Sequence, residues 1–217
     1  MNATTLLNVI LPAAAVLVLC GCPSVPMRPL AHSEPVAVRG AYVHSGSRIT
    51  MPESVAGFQR ATVLRYDADG LDVSSAYNFA NAAYEIAATV YVYPAPSLVS
   101  IGSPPEVVAG AKAHLTEEEF ERRKQEIQRA HPGATLIEQR DTVRAESGRS
   151  YPGKLAVFEY QGVFAGSKMA LRSHLYVFCY VGGKWAVEYR FTRPTGQDAD
   201  RKIQEFIEKW RWYGAGV

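Results

Sequence analysis

Gly182-Gly183 divides two β-rich runs, residues 169–181 and 184–192, and it is the feature that most narrows what this chain can fold into. Both turn positions tolerate positive φ, so the pair predicts a tight hairpin and an antiparallel sheet on either side of it. Around that hairpin lie further short runs separated by turn residues. Residues 41–44 and 48–51 flank Ser45-Gly46-Ser47, a second hairpin candidate. Residues 58–66 precede the turn Asp67-Ala68-Asp69-Gly70, and Val73, Ser75, Tyr77 and Phe79 alternate in the run after it. Residues 86–93 stop at Pro94 and Pro96, and the runs 135–146 and 155–162 complete the set.

Two helices are legible. In the first, Thr116 as N-cap and Glu119 at N3 form a capping box, Leu115 staples onto Phe120, and His131-Pro132-Gly133 ends the helix. Only Phe120, Ile127 and Ala130 make an apolar stripe, so the helix is expected against the sheet with most of its surface wet. The second is predicted over 198–213, where Ile203, Phe206, Ile207, Trp210 and Tyr213 share one face and Gly214 supplies the cap. The residues between, 94–114, contain Pro94, Pro96, Pro104 and Pro105 and are expected to form a long loop, either a recognition element or disorder without a role. Strands, a helix, four strands and a closing helix define an α+β fold with a mainly antiparallel sheet of six or more strands flanked by helices.

The N-terminus differs in kind. Residues 1–21 carry no Asp, Glu, Lys or Arg, and residues 9–19 are an apolar run of secretory length broken by Pro12. By itself the run reads as a signal peptide or an uncleaved anchor. It ends in Leu19-Cys20-Gly21-Cys22, and these four residues resemble the lipobox of bacterial lipoproteins. Only Cys22 fits that pattern, because Cys20 follows the bulky Leu19. The resemblance implies cleavage before Cys22, a diacylglyceryl group on its thiol and acylation of the new amine. It also implies residence in the outer membrane facing the periplasm, since Pro23 stands where Asp would favour inner-membrane retention. Residues 22–39, with Pro23, Pro26, Pro29 and Pro35, then read as a tether, and residues 40–217 as one folded domain.

Element order, with Met51-Pro52-Glu53-Ser54-Val55-Ala56-Gly57-Phe58 leading into a strand and an amphipathic helix closing the chain, is similar to that of PsbP-like domains. The resemblance implies an α/β/α sandwich and a family of binding and assembly factors.

Chemistry is sparse in the pattern. A formal net charge of +2, with no block of like charge, gives no basis for nucleic-acid binding. The acidic stretch 67–72 lacks the calcium-loop spacing and reads as a turn. His32, His44, His114, His131 and His174 have no second His or Cys at ligand spacing, so neither metal nor cofactor is expected. No Gly-x-Ser-x-Gly and no phosphate loop occurs, and Cys179 sits in an apolar run as a buried thiol. Trp212 falls off the helical stripe beside Arg211; either the pair is an exposed partner-binding anchor or the chain folds back there. Together these readings lead to a lipid-anchored, non-enzymatic module binding an envelope protein. A small-ligand or lipid carrier is the alternative, and an envelope hydrolase the third.

Overall fold

A computed structural model describes residues 29–212. Cys20, Cys22, Tyr213 and Gly214, with the segment 1–21 expected to be a signal peptide, lie outside the described residues.

Eleven strands and two helices make up the described residues: β1 (Pro29–Pro35), β2 (Tyr42–Val43), β3 (Thr50–Met51), β4 (Ser54–Val55), β5 (Phe58–Asp67), β6 (Val73–Ala80), β7 (Glu85–Pro94), α1 (Pro105–Ala130), β8 (Thr135–Glu146), β9 (Arg149–Phe164), β10 (Ser167–Val181), β11 (Trp185–Pro194) and α2 (Asp200–Lys209). Nine strands form one antiparallel sheet in the order β1-β5-β6-β7-β11-β10-β9-β8, with β4 added on β5. β2 and β3 pair separately. The α+β class with a large antiparallel sheet is therefore established.

Local chemistry explains the meander. Val181 pairs with Trp185 across the Gly182-Gly183 turn, and both glycines have positive φ, as the hairpin requires. The β8–β9 loop is only Ser147-Gly148, with φ of 51° and 74°, between the paired Glu146 and Arg149. Two positive φ values in a two-residue loop match the right-handed twist of the strands, which is why the hairpin closes so tightly.

Side-chain alternation divides the core between the two faces. Leu155, Val157, Tyr176, Phe178, Tyr189 and Phe191 point into one cluster, which Ile203, Phe206 and Ile207 of α2 cover. Ala156, Phe158, Leu175, Val177 and Ala186 point into the other, capped by Phe120 and Ile127 of α1. The helices thus lie on opposite faces, because successive residues of a strand do.

Three expectations are corrected. Residues 29–35 are not tether: they form edge strand β1, with Glu34 and Arg65 joined across the pair at 2.5 Å. α1 begins at Pro105, eleven residues before Thr116, so about half of the 94–114 loop is helix. Proline at N1 costs no hydrogen bond, since that N–H has no intrahelical partner anyway, so Pro105 starts the helix. Thr116 caps nothing; its hydroxyl donates to the Lys112 carbonyl at 2.8 Å one turn back. α2 stops at Lys209, and Trp210 is already extended at φ −72°, ψ 111°.

Candidate functional site

The early start of α1 creates a groove. Ala109, Lys112, Ala113 and Thr116 recur at helical spacing and form one wall. Thr142 and Val143 of β8, Tyr151 to Lys154 of β9, and Cys179 and Tyr180 of β10 form the floor and the other wall. The trough measures about 610 Å³ and is mostly apolar. Small side chains on α1 keep it open, because Ala at 109 and 113 leaves the space that a larger residue would fill. Lys112 lies over the Tyr180 ring at 5.3 Å and has no carboxylate partner among the described residues. Lys154, by contrast, is neutralised by Glu117 at 2.6 Å and Asp141 at 2.7 Å.

β8 borders the groove and ends the sheet, so its outer backbone edge has no strand partner among the described residues. The edge is blunted over its first half by a bulge near Ile137 and by Glu138, Arg140 and Asp141. Beyond Asp141 the strand presents Thr142 and the exposed Val143 beside the groove.

A buried ionic network holds the wall in place. Glu119 of α1 accepts hydrogen bonds from Tyr93 at 2.9 Å and from Arg123 at 2.7 Å, and pairs with Arg122. Arg123 lies 4.3 Å from the centre of the Tyr93 ring and 3.3 Å from Glu188, a wholly buried carboxylate on β11. Glu188 also pairs with Arg190, which reaches Glu126 of α1 at 2.9 Å. Burial works to raise the Glu119 pKa, but Arg122 and Arg123 outweigh it and hold the carboxyl below its usual range. Burial pushes the Tyr93 hydroxyl well above its usual range, so it serves as a fixed donor. Three acids and three arginines close this account, as buried charge demands.

Cys179 lies on the groove floor, and burial pushes its thiol up to about 12. A thiol so protonated is no nucleophile at neutral pH.

Trp212 is fully buried, which corrects the picture of an exposed anchor, although its neighbour Arg211 is exposed. Once the chain leaves the helix at Trp210 it is extended, and residues two apart in an extended chain share a side. Both tryptophans therefore face the sheet. The Trp212 indole donates to the Tyr189 hydroxyl at 2.7 Å, its backbone N–H donates to Glu146 at 2.7 Å, and Arg144 lies 4.2 Å from its ring centre. Arg144 also donates to Tyr189 at 2.6 Å, to Glu146 at 2.7 Å and to the Trp210 carbonyl.

Histidines are dispersed. His44 is buried and bonds Ser47 at 2.8 Å, His114 is on the surface near Glu118, and His131 stacks on Tyr160 at 4.0 Å. His174 lines a smaller polar hollow of about 350 Å³ on the α2 face, 3.5 Å from Asp200. Among the described residues no group of three or more His, Cys, Asp or Glu is placed to hold a metal. The 67–72 stretch closes a turn: Asp67 Oδ1 accepts the N–H groups of Leu71 at 2.8 Å and Asp72 at 2.9 Å.

The groove went unread in the sequence because its walls come from four separate elements. One signal was present: Pro105 followed by Glu106 is a helix start, and extending the helix to it aligns Ala109, Lys112, Ala113 and Thr116. The chain matches no known family model and none of the curated proteins with which it was compared.

Proposed function

We propose that this protein is a lipid-anchored envelope component, acylated at Cys22 and held at the outer membrane facing the periplasm, that binds a protein partner without catalysing a reaction. The groove beside the half-protected edge of β8 carries this reading. An extended partner segment laid along residues 142–146 finds backbone groups to pair with, and alternate side chains of that segment drop into the trough. Arg211, exposed two residues beyond α2, is the second contact in this reading. We also propose that the fold is PsbP-like. Support comes from the element order, with α1 preceding four antiparallel strands and α2 closing the described residues on the opposite face.

The test is a photocrosslinking residue at Val143 in cells, with Val163, exposed on the far part of β9, as control. The expected result is one discrete adduct from position 143 that is absent from position 163 and lost when Ala113→Trp fills the trough. Absence of any adduct from position 143 would overturn the reading.

The groove's apolar lining, with a free ammonium at Lys112, favours a second reading: a carrier of a small anionic amphiphile. Native mass spectrometry of the purified protein would then show such a ligand, displaced in Ala113→Trp.

A further inference from the structure

Strand registers place distant parts of the chain at one end of the sheet. Pro29 lies opposite Asp67, Arg65 opposite Val73, Val73 opposite Val92, and Pro94 opposite Trp185. The chain therefore emerges towards Cys22 at the same end as the loop after Pro94 and the Gly182-Gly183 turn. From β1 to β7 there are three strand spacings, roughly 14 Å. From Cys22 to Pro29 there are seven peptide steps, which span at most about 25 Å.

That end is also where exposed aliphatic surface gathers. Of eight large hydrophobic residues exposed among the described residues, three fall within nine positions: Val99 at 56%, Ile101 at 86% and Val107 at 56%. Their base is fixed. Tyr180 donates to the Pro96 carbonyl at 3.1 Å, the Ala95 N–H donates to the Lys184 carbonyl at 2.9 Å, and α1 begins at Pro105. Charged residues in the turns and at the helix start of this end carry both signs: Arg48, Arg149 and Lys184, with Asp69 and Glu106.

We propose that this end is a membrane-docking surface, with Val99, Ile101 and Val107 inserted into the interface of the phospholipid bilayer that holds the lipid on Cys22. The inference rests on acylation of Cys22. Apolar contact, not charge, drives it, so a zwitterionic bilayer suffices. A short tether makes the loop's effective concentration at the surface high, and weak insertion then becomes persistent. Docked this way, the strands stand up from the bilayer and the outer edge of β8 faces sideways, open to a partner.

The experiment uses the full-length protein matured in bacteria and reconstituted into phosphatidylcholine vesicles carrying a radiolabelled phosphatidylcholine. Benzoylphenylalanine replaces Ile101, or Ala82, an exposed residue of the β6–β7 turn at the opposite end. Labelled palmitate reports acylation separately. The expected result is lipid crosslinking at position 101 at least tenfold above position 82. Equal labelling at the two positions, or none at 101 in palmitate-bearing protein, overturns the docking alone. Failure of palmitate to enter at Cys22 overturns the anchor, and the docking with it.

Discussion

Asp72 and His174 respond to acid in opposite directions. Burial raises the Asp72 carboxyl to about 6, aided by Asp67 and Glu188 and opposed by Arg123. The folded chain keeps a proton there that the unfolded chain has lost, so this group makes stability fall as pH rises from about 4 to about 6. Burial lowers His174, an effect that Arg193 and Arg172 reinforce and Asp200 and Glu138 oppose. The unfolded chain then takes up a proton that the native imidazole refuses, so stability falls as pH drops below about 6.5. Asp72→Asn is expected to steepen the rise of stability with pH across this window, and His174→Gln to flatten it. Urea midpoints measured from pH 4 to pH 7 read both slopes; an unchanged slope in Asp72→Asn would contradict the burial argument. Trp212→Ala is expected to cost about 3–5 kcal/mol, because it empties a buried indole site. A loss below about 0.5 kcal/mol in thermal unfolding would mean the segment after α2 does not pack on the sheet.

Elements show where local rules gave way. A capping box at Thr116 and Glu119 satisfies every local requirement for a helix start, yet α1 passes straight through it. Helix propagation costs less than nucleation, so a chain already helical from Pro105 has no reason to restart. Thr116→Ala separates the two arrangements: removing a cap costs about 1 kcal/mol, whereas removing this mid-helix hydroxyl is expected to change stability by less than about 0.5 kcal/mol. Placing Ser at Pro104, the uncapped N-cap with extended φ and ψ, is expected to add about 0.5–1 kcal/mol. Chemical denaturation of both variants decides the matter. The strands followed their sequence more closely, since hairpin turns and alternation act over two to four residues. β1, expected as tether, and β9 are the exceptions: β9 begins at Arg149 and runs through Pro152 and Gly153, because pairing with β8 through Glu146 and Arg149 carries the ladder past both residues.

For the whole molecule, the proposed anchor and the folded domain are expected to act together. In the proposed arrangement Cys22 carries the acyl chains, while the sheet determines which residues lie near the bilayer. Labelled palmitate is expected to enter the wild-type protein and to be absent from Cys22→Ser; equal labelling of the two would remove the anchor. No helix among the described residues is long and apolar enough to cross a membrane. Acyl chains and the Val99–Val107 surface are the contacts proposed with lipid.

Class, most strand positions and the stripe on α2 were written in the sequence, because alternation, turn chemistry and helical spacing are short-range and repeat. So was the proposed attachment point at Cys22, whose pattern occupies four consecutive residues. Tertiary structure alone decided the groove, the β1 edge, the burial of Trp212 and the charge network around Glu119 and Glu188. Each joins residues tens of positions apart. Trp212, for example, is held by Tyr189 and by Glu146, 66 residues away. Burial of such groups is set by what the rest of the fold brings against them, and a linear pattern does not carry that information.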